Sequence, residues 1–538
     1  MIDHIGFIEF CAALQPLYKR VSQNTLKNEM MKEYREAKGN TMKLLSKNQS
    51  RIAITTNMWT ASNQNKGYMT ITTHFIDDSW TLQSRLVRFI YVPVPHTSKV
   101  LANVLVQCLM DWNIDRNVST LTVDNCTTND VMVERILDNI LPKSLILGGQ
   151  LFHMRCCAHI LNLIVKDGLS IISGAIEKIR ESVHFWTATP KREEKFIETC
   201  GQMSIPFSKK LVLDCKTRWN STFLMLQVAI QYKIVFDRLE QRDNQYKVLP
   251  SENDWNMASD ICQKLELFYD VTLLFSGTLY PTANILFPKV CEIKLALVDW
   301  LSCPSSIIHL MASSMMAKFD KHWGVINGVM VVGTLLDPRY KIDLLDYFFP
   351  QIYGHDSDVE IEKVKTIFQN YNDSNCATSK GASQGLGIPG FHVKGKELIP
   401  SSLNSNPNQV DVSSLGRKEA WRSNFEKHKS AKRNDTSNLK LEFDRYLEEA
   451  TLPDSDEKFH ILVWWKAKGL KYPTLQMIAR DFLAIPISTI ASESSFSTGG
   501  WFLTPHRSRL RPDTLEALMC LQDWLWNEME GNQVYTFN

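Results

Sequence analysis

The spacing of apolar residues changes along this chain, and the changes mark out its elements. From Arg51 the period is two. Ile52, Ile54 and Thr56 alternate with Ala53, Thr55 and Asn57, and after Gly67 the residues Met69, Ile71, Thr73 and Phe75 repeat the pattern. Leu82 to Val92 supplies a third β-rich run, and the polar stretches Asn63 to Gly67 and Asp77 to Trp80 join the three as turns. Pro93 and Pro95 close the set. The spacing then becomes helical, with Val100, Leu101, Val104, Leu105, Cys108, Leu109 and Trp112 on one broad face. A fourth strand, Thr120 to Val123, ends at Asp124. Upstream of the strands, residues 1 to 48 read as helical, with Phe7, Phe10, Leu14 and Leu17 on one stripe and a Lys/Glu-rich segment from Lys27 to Lys38.

Strand, strand, strand, helix, strand, with an acid at the tip of the fourth strand, predicts the opening of an α/β fold of the ribonuclease H type. A helix near Asp130 to Ile140 and a short apolar run, Leu145 to Met154, lead into a further helix with Ile160, Leu163, Ile164 and Leu169 as its core positions. Residues 223 to 371 are helix-rich, broken at places such as Leu336-Asp337-Pro338-Arg339-Tyr340. From 372 to 438 the chain turns rich in Ser, Asn, Gly and Lys and reads as a linker. Order returns near Leu441. Phe459, Leu462, Val463, Trp464 and Trp465 fall on one helix, Leu475, Ile478, Ala479, Phe482 and Leu483 on the next, and Leu515 to Trp526 on a last one that is apolar nearly all round. A helix hydrophobic on two faces needs two surfaces to pack against, which a second subunit or a larger intrachain core would each supply.

At 538 residues, 44% hydrophobic and 22% charged, the chain has the composition of a globular protein of several domains. Its net charge of +2 excludes a polyelectrolyte, so contact with nucleic acid has to come from local patches. One such patch is Arg417 to Arg433, with seven Lys or Arg against two Glu, which reads either as a solvated linker or as a phosphate-binding or nuclear-import segment. The 12 Cys show no Cys-x-x-Cys pair, which argues for reduced thiols and against a structural zinc finger in these residues. No uncharged stretch reaches the roughly 20 residues a bilayer requires, so no membrane partner is expected.

Three places carry candidate chemistry. Glu493 stands alone in Ile490-Ala491-Ser492-Glu493-Ser494-Ser495-Phe496-Ser497, where it serves either as an acid in the first turn of a helix or as a site carboxylate that requires a partner. Cys156 and His159 lie three apart in Arg155-Cys156-Cys157-Ala158-His159, a spacing that makes half a metal site or a packed core pair. Arg218 beside Trp219 offers a phosphate contact with a stacking surface, or a cation resting on an indole.

Taken in order, Thr55-Thr56-Asn57-Met58-Trp59-Thr60, Thr122-Val123-Asp124-Asn125, Arg155-Cys156-Cys157-Ala158-His159-Ile160-Leu161-Asn162-Leu163, Thr217-Arg218-Trp219-Asn220-Ser221 and Ala491-Ser492-Glu493-Ser494-Ser495-Phe496-Ser497 resemble the motifs of hAT-superfamily transposases. The resemblance is strongest to the domesticated plant members of the RICESLEEPER and DAYSLEEPER type, a family of zinc finger BED domain-containing proteins, and runs from about residue 5 to 527 outside the linker. It implies a helical remnant of an N-terminal DNA-binding and intertwining domain over 1–48, and a first part of the ribonuclease H-like core over 49–222. A helical insertion over 223–371, the linker over 372–438 and a dimerisation region over 439–530 that completes the core would follow. It also implies DNA as a partner, with Arg218, Trp219, His159 and Cys156 as contacts, and a homodimer held by Trp464, Trp465, Leu515, Leu518, Trp524 and Leu525. The nucleus is the implied compartment.

In active members three acids bind two divalent metals, and the resemblance places Asp124 and Glu493 at the second and third. At the first this chain has Asn57, and no acid occurs between Glu36 and Asp77 to replace it. A neutral amide cannot bridge two ions and offset their repulsion. The expectation is therefore a protein without strand-cleaving activity and without a bound metal or other cofactor, zinc being expected only with an upstream BED finger. Two further departures are the missing BED finger and Trp501, where relatives carry Arg after Gly-Gly. Working nuclease and pure interaction scaffold are the alternatives.

Overall fold

The computed structural model describes residues 4–15, 17, 21–61, 64–324, 328–382, 442–453, 459–503 and 510–534. Two compact units emerge, Met1–Thr334 with Ala479–Asn538, and Leu335–Ile478.

The first unit is built on a five-stranded sheet in the order β3-β2-β1-β4-β5. β1 (Ile52–Ala61), β2 (Lys66–Ile76) and β3 (Leu82–Val92) form an antiparallel meander, while β4 (Val118–Val123) and β5 (His153–Arg155) lie parallel to β1 on its other side. This is the ribonuclease H-like α/β arrangement. β5 escapes a reading by alternation because it has only three residues. Two 3-10 turns precede it, Pro142–Ser144 just before the apolar run and Ile146–Gly149 within it.

Ile52, Ala53, Ile54 and Thr55 are all buried, so both faces of the sheet are covered. The helix Ser98–Asp111, capped by the Thr97 hydroxyl, puts Leu101, Leu105 and Leu109 into the core. The helix Pro512–Val534 lies along β3: the Trp524 indole N–H donates to the Leu86 carbonyl at 2.9 Å, and the Leu86 N–H donates to Asp523 at 2.8 Å. The helix Ile5–Leu14 forms as the pattern requires but buries none of its residues, with Phe10, Leu14 and Leu17 exposed, so its apolar stripe is not a core stripe of this chain.

After β5 the unit continues as helices, from Cys157–Leu169 to Gly328–Leu335, without another strand among the described residues. The expected boundary at residue 223 falls inside one of them, Trp219–Gln231. The stretch Cys157–Thr187 has the length and hydropathy of a membrane span, but half of its most apolar window is buried, with Ile160, Leu161, Ile164 and Val165 in the core. Its apolar character is satisfied by protein.

In the second unit the segment after Leu335 is held by side chains rather than by a ladder. Tyr446 donates its hydroxyl to the Leu335 carbonyl at 3.0 Å, and the Trp465 indole donates to Leu336 at 2.9 Å. Buried Asp337 takes the Arg339 guanidinium at 2.9 and 2.7 Å, and buried Lys341 donates to the Tyr446 and Glu449 carbonyls at 2.5 and 3.0 Å. The basic run Arg417 to Arg433 and most of the expected linker lie outside the described residues.

Candidate active centre

The parallel pairing of β1 with β4 puts Thr55 opposite Thr122, so Asn57 and Asp124, each two residues further on, sit at the same level of adjacent strands. β5 extends that edge, with Val123 opposite Arg155. The helix Ile490–Phe502 closes over it. Its placement is fixed by polar contacts that span the sequence: Thr122 donates its hydroxyl to the Pro486 carbonyl at 2.8 Å, Cys157 donates its N–H to the Ile487 carbonyl at 2.9 Å, and the Ser492 and Thr55 hydroxyls hydrogen-bond at 2.7 Å. Thr55 in turn meets the His74 ring at 3.0 Å. Burial holds His74 far below its ordinary range, at about 3, so this chain of hydroxyls ends on a neutral imidazole.

On that frame Asn57 and Glu493 meet. The Asn57 amide Nδ2 donates to Glu493 Oε1 at 3.3 Å, and Oδ1 of the same amide accepts the Met58 N–H at 2.7 Å. Glu493 Oε1 also accepts the Thr489 hydroxyl at 2.6 Å. Thr489 has one hydroxyl proton, and the carboxylate takes it. The Cys156 thiol, 3.3 Å from the same oxygen, is left to donate, while the Thr489 N–H lies 3.4 Å from the sulfur. Asp124 Oδ1 accepts from the Cys126 N–H at 3.1 Å and the Asn129 amide at 2.6 Å. Glu493 is thus both an acid of the first helical turn and a member of the constellation.

This donor set does not fit two divalent ions. The position that has to bridge them carries an amide whose oxygen is engaged by Met58 and whose nitrogen turns toward Glu493. Among the described residues no group of three or more His, Cys, Asp or Glu is disposed to hold a metal. What the arrangement does chemically is tie β1 to the closing helix through a neutral amide and one carboxylate.

The other expected site residues divide. Cys156 is buried at 1% exposure and Trp219 at 3%, so neither can touch a nucleic acid in this fold. Cys156 packs under Thr489, and Trp219 turns inward onto Phe223, with ring centroids 6.1 Å apart. Arg218 is exposed. The loop it ends is held by Asp214, which takes Arg180 at 2.7 and 2.8 Å and Thr222 at 2.5 Å. His159 is half-buried in the first turn of its helix.

Several residues expected at a subunit contact are instead core. Leu515 and Trp524 are buried in the first unit beneath β3, and Trp465 is buried in the second. Each is large and apolar, which is why a pattern reading could not tell an internal seat from an external one. Leu518 and Trp464 are half-buried, and Trp464 packs edge-on against Trp465. Leu525 remains exposed at 46%, as does Trp526, at the end of the doubly apolar stretch, at 59%, and Met529, which the pattern did not single out, at 54%. Also missed were Thr489, Thr55 and Ser492. Their only signal was the density of hydroxyl residues around Glu493 and on β1.

Comparison with known proteins agrees with this architecture. Residues 55–151 match the ZBED1 RNase-like domain, 154–264 the ZBED1 RNase-like helical domain, 284–373 the hAT-like transposase domain of RNase-H fold, and 442–525 the hAT family C-terminal dimerisation region. A Zea mays protein named as an AC transposase candidate is 35% identical over 99% of this chain and 64% of its own length. The zinc finger BED domain-containing protein RICESLEEPER 2 of Oryza sativa subsp. japonica is 34% identical over 98% of this chain and 72% of its own. DAYSLEEPER of Arabidopsis thaliana is 31% identical over 98% and 71%. The chain therefore spans roughly two thirds of the relatives it matches.

Proposed function

The chain belongs to the hAT transposase family, alongside the RICESLEEPER and DAYSLEEPER zinc finger BED domain-containing proteins, and from that premise we propose that it is a domesticated member which dimerises and binds DNA in the nucleus without cutting it. The observation that carries the reading is the contact between Asn57 Nδ2 and Glu493 Oε1 at 3.3 Å. Where metal-bridging chemistry needs a second anion, this centre has a hydrogen-bond donor. The match of residues 442–525 to the hAT dimerisation region supports self-association. The zinc finger BED domain in the relatives' names supports DNA as the partner, and a transcriptional or chromatin role is part of the proposal.

The working-transposase reading draws on the name of the Zea mays relative. One assay separates the two. The full chain is incubated with labelled duplex DNA ends in Mn²⁺, and binding and strand nicking are scored in parallel. Retarded DNA with no metal-dependent nick is the expected result. Nicking that EDTA abolishes and Glu493→Gln removes would establish the other reading.

A further inference from the structure

Where β3 meets the last helix, the N–H and C=O of Leu86 are taken by Asp523 and Trp524. A row of backbone groups with no such cover lies in the helical part of the same unit. Between the helices Pro190–Gln202 and Trp219–Gln231 the chain runs through residues 210–215 without a turn or a bend. Both ends of this strap are fixed. Phe207 stacks on Tyr232 with ring centroids 5.6 Å apart, and the Tyr232 hydroxyl accepts the Lys209 N–H at 3.2 Å and donates to the Lys209 carbonyl at 2.8 Å. At the far end Asp214 is held by Arg180 and Thr222, and between the two anchors Leu211 is buried.

The N–H and C=O groups of Lys210, Leu211, Val212 and Leu213 have no hydrogen-bond partner among the described residues. In an extended chain alternate residues turn these groups to the same edge, so Lys210 and Val212 share one. Both are exposed, Val212 at 63%, and Leu213 beside it at 42%. An extended segment held rigid at both ends, with donors and acceptors unused and apolar side chains in water, is a template on which a second extended chain can form a ladder. Its rigidity lowers the ordering cost of docking.

The charges around the strap select the partner. Lys209, Lys210, Lys216 and Arg218 lie on it or at its ends, with Arg180 beneath, and the acids that meet them are Asp214, Glu193 and Glu177. Five cations stand against three acids. Glu193 takes Lys210 at 2.7 Å, Glu177 takes Lys216 at 3.0 Å, and Asp214 takes Arg180. Glu181, Glu194 and Glu198, on the same helices, make no ion pair or hydrogen bond with the strap. Lys209 and Arg218, one at each end, are exposed and have no ion pair among the described residues.

We propose that residues 210–213 are a docking edge for an extended peptide of a partner protein, apolar at alternate positions and acidic at both ends. Its backbone pairs with Lys210 and Val212, an apolar side chain packs beside Val212, and its acids meet Lys209 and Arg218. The edge does not depend on the DNA-binding reading above.

The test follows the anisotropy of a labelled Glu-Glu-Val-Thr-Val-Thr-Glu-Glu peptide titrated with the full chain. Two further peptides carry N-methyl groups on the valine or on the threonine backbone nitrogens, which removes the donors of one edge and keeps the side chains. Saturable binding is expected for the parent peptide. One methylated version should bind about tenfold more weakly or worse and the other nearly as the parent does, because one edge of the peptide faces the strap. Val212→Glu and Lys209→Glu should each weaken the parent peptide by a similar factor, and Lys143→Glu, an exposed lysine elsewhere, should not. Amide hydrogen exchange at residues 210–213 should be fast in the free chain and slower with the peptide. Equal behaviour of the two methylated peptides, or no saturable binding of the parent peptide, would overturn the docking edge. A labelled duplex is the second probe: if Val212→Glu and Lys209→Glu weaken the duplex and leave the peptide unaffected, the strap is a nucleic-acid surface and the proposal fails. Unchanged melting temperatures show that the variants fold.

Discussion

Asn57 Nδ2 and Glu493 Oε1 lie 3.3 Å apart across 436 residues of sequence. The contact is local in space because β1 carries one partner and the helix closing the sheet edge carries the other. It depends on the hydroxyls beneath it. Thr55 and Asn57 share a face of β1, and Ser492 precedes Glu493, so the Thr55–Ser492 bond at 2.7 Å sets the position of the pair above.

Ser492→Ala tests that support. The substitution removes a buried partner of Thr55 and leaves its hydroxyl to His74 alone, at a cost of about 1–2 kcal/mol in denaturant unfolding. Ser494→Ala, at an exposed position of the same helix, should change stability by less than about 0.5 kcal/mol.

Asp523 makes stability depend on pH. Burial raises its carboxyl from 3.8 to about 6, against the opposing pull of the Leu86 N–H and Arg85. A raised folded-state value means that its contribution is complete below the unfolded value near 3.8 and is lost as pH rises through about 6. The loss is up to about 3 kcal/mol. Asp523→Asn keeps an acceptor for Leu86 and cannot titrate. Between pH 4 and 7 the parent should lose stability relative to this variant, and parallel curves would show that Asp523 is not perturbed.

Self-association should depend on the outer face of the last helix. Trp526→Asp with Met529→Asp alters two side chains that are 59% and 54% exposed. Light scattering at micromolar concentration should show a dimer for the parent and a monomer for this variant, with melting temperature nearly unchanged. Trp524→Ala removes a side chain that is 2% exposed and should instead cost about 3–5 kcal/mol in folding.

The sheet was legible because β1 and β2 contain alternating stretches, β3 is a β-rich run between turn signals, and the acid at the tip of β4 marked its end. β5 was not, being three residues long. Asp124 and Glu493 each stood out locally, as the acid at a strand tip and as a lone acid among hydroxyls, but their association with Asn57 came only by resemblance, for nothing in the local sequence announces that 436 residues of chain return Glu493 to Asn57. Burial was the least legible property. Trp465, Trp524 and Trp219 turn inward while Trp526 and Trp501 remain exposed, and the difference lies in which neighbouring element covers each ring.

The central claim is that Asn57 in place of an acid leaves the centre without divalent-metal affinity, and calorimetric titration with Mn²⁺ tests it most directly. Asn57→Asp sets a second carboxylate against Glu493, at a cost of about 1 kcal/mol in solvent-exposed surroundings. Metal should relieve that cost. The parent should give no Mn²⁺ binding isotherm into the millimolar range. Asn57→Asp should bind, and its lower melting temperature should recover with Mn²⁺ by mass action, about 2.7 kcal/mol at one hundred times the dissociation constant. Micromolar binding by the parent that Glu493→Gln abolishes would contradict the account.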